Sequence, residues 1–344
     1  MNEQKKILIV RTDRIGDVVL TLPMAKFTKE TYPNYHITFL VRNYTKEFPT
    51  SNKYVDDTII LPEKSFFPTL KKLTTLLKVG KFDAAIVVHP RLVLALAIFF
   101  AGIKTRIGSG YRFFSFLFTN KIYEHRKTGD KHELEYNLNL LAPLGIKISD
   151  TKSVSFDIQI KPETEQRIKQ LLNDFSIPGN KPIIIIHPGS GGSSIDWPIS
   201  RFSELSTKLA YKLDCSIVIT GSQSEKETCE KIMTEKNTYN LAGKLSLEEL
   251  NAVINRSVLL IANSTGPIHI AAALDKHVIG FYPKIKECSV DRWGPYTDKK
   301  MIFSPTIDCS NCSREQCERL DCMNSIDVES VFSGIKKIIE PGLK

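Results

Sequence analysis

The heptapeptide Arg11-Thr12-Asp13-Arg14-Ile15-Gly16-Asp17 gathers two guanidiniums and two carboxylates directly after the apolar run Ile7–Val10. Carboxylates at such a point can move a proton, and guanidiniums can hold an anion or a neighbouring acid. Three further stretches stand at equivalent points, just past apolar runs: His187-Pro-Gly-Ser-Gly-Gly-Ser-Ser194, Gly221-Ser-Gln-Ser-Glu225 and Asn263-Ser-Thr-Gly-Pro-Ile-His269. Small residues let backbone N–H groups approach a ligand, and a helix N-terminus favours an anion. Ser264-Thr265-Gly266 before a helical stretch therefore suits a diphosphate. None of these loops matches the P-loop or the GxGxxG dinucleotide motif, and each alone also reads as an ordinary turn and cap. A fourth kind of chemistry is offered by Cys309-x2-Cys312-x4-Cys317-x4-Cys322. Four thiolates at short spacing can close a tetrahedral zinc shell, but the spacing equally admits free thiols or disulfides.

The elements that must position these loops follow from the apolar pattern. Ile7–Val10, Ile37–Val41, Thr58–Leu61 and Ala84–Val88 read as buried strands in the first half. Ile183–Ile186, Ile217–Thr220, Val258–Ala262 and Val278–Tyr282 do so in the second. Short apolar runs alternating with longer amphipathic stretches predict parallel sheets covered on both faces. The expected fold class is α/β, with two Rossmann-like, doubly wound domains facing a cleft. A chain of 344 residues is too long for one ordinary core. The predicted division is a domain over 1–160, a linker region over 161–181, a second domain over 182–325 and a C-terminal helix over 326–344. The stretch Pro162–Phe175 within the linker region reads as a helix with proline in its first turn.

Charge is unevenly placed. Residues 1–160 hold 24 Lys/Arg against 15 Asp/Glu, whereas residues 161–344 hold 23 of each, so the whole excess of +9 lies in the first half. That predicts a first domain facing something anionic, with scattered solvating lysines as the plainer reading. The stretch Tyr111–Phe118 is aromatic and basic, suited either to a membrane interface or to packing within its domain. Only four apolar residues separate Lys5-Lys6 from Arg11, too few for a signal peptide, and the run Leu92–Ile103 is about half a membrane span. A cytoplasmic location is expected.

RTDRIGDVVLTLP, HPGSGG…WP, TGSQSE, LAGKLSLEEL, NSTGPIHIAAAL and RWGPY occur in this order and spacing, followed by the cysteine cluster. Together they resemble glycosyltransferase family 9, the bacterial ADP-heptose:lipopolysaccharide heptosyltransferases, over nearly the whole chain. The resemblance implies a GT-B fold with acceptor on the first domain and nucleotide-sugar donor on the second. It implies inverting, metal-independent transfer of a heptose from ADP-heptose to a lipopolysaccharide inner-core acceptor. No cofactor is then needed for catalysis, and structural zinc remains the only metal expectation. The implied partners are a nucleotide-diphosphate sugar, an anionic lipid-linked glycan and the inner face of the cytoplasmic membrane, to which the protein would bind peripherally; nucleic acid is not among them.

Residue by residue, Asp17 matches the general base and Asp13 is an assisting carboxylate, with helix capping as the alternative for Asp17. Arg11 and Arg14 are expected to hold the acceptor or to orient Asp17. On the donor side Glu225 matches an acid on the ribose hydroxyls and Leu245 a backbone contact to adenine. Ser190, Gly191, Thr265 and Gly266 match the diphosphate loops, joined by Ser264, Pro267 and His269. Two positions depart from the family: Ile195 stands where many members carry Lys, and Ser264 where many carry Asp. Lys244 or Arg292 are candidates for the missing positive charge. The departures leave open another nucleotide-sugar donor, or a nucleotide-sugar-binding protein without turnover.

Overall fold

The computed structural model describes residues 4–148, 151, 154–307 and 313–340. The chain separates into two compact units, one of Met1–Lys127 with Lys131–Gln159, the other of Thr128–Asp130 with Ile160–Lys344.

The first unit is built on a parallel sheet of β1 (Lys6–Val10), β2 (His36–Val41), β3 (Asp57–Ile60), β4 (Ala84–Val87), β5 (Thr105–Ser109) and β6 (Asn120–Ile122), in the order β3-β2-β1-β4-β5-β6. The second holds β7 (Ile183–His187), β8 (Ser216–Ile219), β9 (Thr238–Asn240), β10 (Leu259–Asn263), β11 (His277–Phe281) and β12 (Lys300–Phe303), in the order β12-β11-β10-β7-β8-β9. Both sheets therefore share one topology, and all pairings are parallel. The central strands are runs such as Ile7-Leu8-Ile9-Val10 and Ile184-Ile185-Ile186, essentially without solvent exposure, because helices cover both faces.

Eight of the twelve strands coincide with the apolar runs to within a residue at either end. The four unpredicted ones, β5, β6, β9 and β12, carry polar or short sequences (TRIGS, NKI, TYN, KMIF) and lie toward or at the sheet edges. At the edge itself, where β6, β9 and β12 lie, a strand has a single neighbour. The expected helix after the first unit runs over Pro162–Asp174 and buries Thr164, Ile168 and Leu172, one stripe at helical spacing. It packs on the helix Leu247–Arg256, where Thr164 donates to Glu248 at 2.6 Å. The last helix, Val328–Ile339, packs on Ile199–Lys212 and completes the second unit's core with Val328, Val331 and Ile335.

In each sheet the chain leaves the first strand to one side and returns to place the fourth on the other. The β1/β4 and β7/β10 boundaries are thus topological switch points, where the loops beyond the strand ends diverge and leave room for a ligand.

Candidate functional site

The heptapeptide stands at the β1/β4 switch point. Arg11 is still strand-like: its N–H donates to Leu40 O at 3.0 Å, and its side chain is buried, only 3% exposed. The guanidinium is saturated by acceptors. Nε donates to Asp13 Oδ1 at 2.7 Å, an NH2 group pairs with Asp17 Oδ1, and the other reaches Glu133 Oε1 and Asn137 Oδ1, each at 3.1 Å. Arg126 binds the same Glu133 and Asn137 atoms. Asn137 spends its own N–H groups on Leu20 O and Thr21 Oγ1, so the buried amide is satisfied at both ends. Glu133 and Asn137 lie on the helix Glu133–Asn139, over 120 residues from Arg11.

This geometry separates the readings left open above. Arg11 faces four acceptors inside the protein and orients Asp17; it offers no free edge to an acceptor molecule. Arg14 is exposed and makes no ion pair among the described residues. Asp17 is not the cap of its helix. The helix Ile15–Val19 is entered through Arg14, and Asp17 occupies its first turn with its carboxylate turned to Arg11. Gly16 lies within this helix without a left-handed φ, so helix geometry presents Asp17.

Burial drives the Asp17 carboxyl upward; Arg11 pulls it down, Asp13 and Glu133 push it up, and the net is about 6. An acid with a pKa of about 6 is mostly ionised at pH 7 and can still hold a proton, as suits a general base. His89, just after β4, lies 3.6 Å from Asp13 across the switch point. Burial and then Arg11 lower its pKa to about 4, so the ring is neutral at pH 7. Tyr44 donates its hydroxyl to Asp13 O at 2.6 Å.

The second unit repeats the arrangement at the β7/β10 switch point. Asn263, ending β10, accepts from Trp197 N at 2.8 Å and donates to Pro188 O, tying the loop after β7 to the loop after β10. Ser193 strengthens the link, donating to Ser190 O at 2.8 Å and to Ser264 O at 2.9 Å. Ser190 and Ser264 are buried, whereas Gly191 and Gly192 are exposed with φ of 55° and 74°. A left-handed pair of residues in such a loop favours glycine and leaves N–H groups accessible. Thr265 N-caps the helix Gly266–Ala273, which carries Pro267 in its first turn and buries His269. His187 is buried against Thr220 at 2.9 Å, and burial lowers its pKa to about 4.

Glu225 Oε2 accepts from Ser222 N and Oγ, each at 2.7 Å. Burial raises the carboxyl, these bonds more than offset it, and the net is downward. The other oxygen faces Gly189, where any Cβ would stand 1.7 Å from it; glycine is needed for this approach. Leu245 is half-buried at the loop following Gly243.

Both candidates for the missing cation stand over aromatic rings. Lys244 stands 4.4 Å over the Phe175 ring and Arg292 lies over Trp293. Ile195 is turned into the apolar core. Arg314 is bonded to the β7 loop, donating to Gly192 O at 3.2 Å and Ser194 O at 2.8 Å. Sequence reasoning missed it because it stands 120 residues away, in the cysteine-bearing segment. Glu133, Asn137, Arg126 and His89 were missed for the same reason: no spacing signal joins them to Asp17. Of the cysteines, Cys309 and Cys312 lie outside the described residues; Cys317 and Cys322 are buried and unbonded to one another. Among the described residues no helix is long and apolar enough to cross a membrane.

The pattern of glycosyltransferase family 9 (heptosyltransferase) matches residues 70–322. The lipopolysaccharide core heptosyltransferase OpsX of Haemophilus influenzae is 25% identical over 97% of each chain. Among solved structures, a family 9 glycosyl transferase from Veillonella parvula superimposes with a TM-score of 0.85 at 21% identity, over 99% of each chain. The ADP-heptose lipopolysaccharide heptosyltransferase II of E. coli gives 0.81 at 19% identity, covering 97% of this chain and 98% of that one. Twin Rossmann-like units, paired switch-point loops and a family match over most of the sequence lead to one assignment: the chain belongs to glycosyltransferase family 9, the heptosyltransferases, and is an enzyme of GT-B architecture.

Proposed function

We propose that the protein transfers a heptose from ADP-heptose to an anionic, lipid-linked inner-core glycan, with inversion and without a metal in the reaction. The observation that carries this reading is Asp17: a part-buried carboxyl with a pKa of about 6, fixed by Arg11 at the β1/β4 switch point. An acceptor hydroxyl gives its proton to Asp17 as its oxygen bonds to the anomeric carbon. The bond from that carbon to the diphosphate breaks, and its electron pair leaves on the diphosphate oxygen. Negative charge then grows on the leaving group, which needs preorganised donors and cations. The loop N–H groups around Gly191, Thr265 and Gly266 supply the first, and Arg314 the second. Glu225 is assigned to the ribose hydroxyls, with Leu245 beside the base. Relatives support the sugar and acceptor: one E. coli heptosyltransferase was solved with ADP and with an ADP-2-deoxy-2-fluoro heptose, and others are named for lipopolysaccharide.

The donor assignment is tested by calorimetry with ADP, GDP and UDP. ADP should bind tightest, and a ranking led by UDP would overturn the ADP-heptose reading while leaving the fold untouched.

Glu133 gives a second test. Glu133→Gln keeps an oxygen for Arg11 and Arg126 but removes a negative charge that raises Asp17. The acid limb of the turnover profile should move to lower pH. A limb that stays in place or moves upward would show that the Glu133 charge does not act on the base.

A further inference from the structure

The net positive charge of the chain is concentrated in one stretch. Between Glu63 and Glu124 the sequence holds ten Lys/Arg and a single acid, Asp83, a balance of +9 equal to that of all 344 residues. Asp83 is engaged by the backbone N–H of Lys6 at 2.7 Å. Among the described residues none of the ten cations forms an ion pair. A scattered solvating surface would mix the signs and pair some of them.

The same stretch carries ten of the sixteen exposed large apolar side chains among the described residues. They are not loosely strewn. The helices Phe66–Gly80 and Leu92–Phe100 pack along each other, and the second touches the turn Ser115–Leu117. Leu73, Leu77, Leu94, Ile98, Phe114 and Leu117 form their common core. What this layer does not use inward stands in solvent: Phe67 (78%), Val79 (76%), Phe100 (52%), Phe113 (82%) and Phe116 (71%). Leu92–Phe100 has no polar residue on any face, although Phe99 and Phe100 are exposed; a helix apolar all round is normally covered. Arg106 binds the layer together, donating to Leu117 O at 2.6 Å and to Ile103 O while lying over Phe99.

We propose that this layer is a docking surface for an anionic lipid bilayer. It deepens the functional reading above, on which it rests only for a reason why the enzyme meets a membrane. Exposed phenylalanines enter the headgroup and upper acyl region, where apolar rings leave water. Lysines 71, 72 and 78 on the first helix, with Lys104 and Arg112 near the second, meet the phosphates of acidic lipids. The two halves of Tyr111–Phe118 thus divide their work: Phe114, Leu117 and Phe118 pack inward, whereas Phe113 and Phe116 face outward.

The test is sedimentation of the full chain with vesicles of phosphatidylcholine alone or mixed with phosphatidylglycerol, without any glycan. Binding should require phosphatidylglycerol and should weaken as salt rises. The variant Phe67→Ser/Phe113→Ser/Phe116→Ser should lose affinity more than about tenfold, since withdrawing one ring from water is worth roughly that factor. Lys71→Gln/Lys72→Gln/Lys78→Gln should lose binding to the mixed vesicles. All these side chains are exposed, so melting temperature and ADP binding should stay unchanged in both variants. Wild-type protein left in solution by acidic vesicles overturns the proposal. So does a serine variant that binds as well as the parent, or binding transferred to RNA or duplex DNA in place of vesicles. Loss of ADP binding by the parent would strike the donor reading and leave this one standing.

Discussion

Asp17→Asn should fold, bind donor nucleotide and turn over roughly two to four orders of magnitude more slowly, the usual contribution of a placed general base. The amide keeps the shape of the carboxylate, and its oxygen can still accept from Arg11, so the helix Ile15–Val19 and the network around it should persist. What is lost is the group that takes the proton. The same change at Asp13, whose carboxylate pairs with Arg11 Nε and faces neutral His89, should slow turnover less. In the parent enzyme the rate should fall as pH drops below about 6, where Asp17 takes up a proton before the reaction can use it. Single-turnover rates at saturating donor and acceptor, measured beside a melting curve, separate chemistry from stability. A folded, fully active asparagine variant would remove Asp17 from the mechanism.

Arg11→Met should have the largest effect on stability. Methionine can fill much of the space, but Asp13 and Asp17 then lose their cation, and Glu133 loses one of its two arginines. Removing one partner from a buried ionic group destabilises by about 3–5 kcal/mol. The loss must depend on pH with a definite sign. Asp17 already binds its proton more tightly in the folded protein, at about 6 against 3.8 for the ordinary side chain, and without Arg11 the folded value rises further. A group raised on folding destabilises fully above its folded pKa, and the penalty disappears as pH falls toward the unfolded value. Urea unfolding at pH 8 and pH 5 should therefore show a smaller difference between variant and parent at the lower pH. A difference that is equal at both, or larger at pH 5, would mean that Arg11 acts by packing and not by charge.

The sequence by itself determined the class of fold and where its chemistry would stand. Runs such as Ile7–Val10 and Ile183–Ile186 are too apolar to be anything but buried strands, and their recurrence between helical stretches allows little except parallel sheets. A polar loop directly after such a run falls at the carboxyl end of a strand, which is where α/β folds bind ligands. Asp17, Glu225 and the loops of Ser190 and Thr265 were legible on that ground. The tertiary structure decided which partners each group meets there. The sequence leaves Arg11 between holding the acceptor and orienting Asp17; strand β1 carries it into the interior, where desolvation obliges it to gather Asp13, Asp17, Glu133 and Asn137. Glu133 and Arg314 lie more than a hundred residues from the loops they serve, and no periodicity spans such a gap. Their partners are set by which helix packs over which strand end. Likewise the pattern of Tyr111–Phe118 is silent on which rings point inward, because a turn lacks the fixed repeat that assigns faces to a helix or strand. Local pattern fixes elements through short-range sterics and apolar periodicity, whereas charge networks depend on distance in space, which only the folded chain defines.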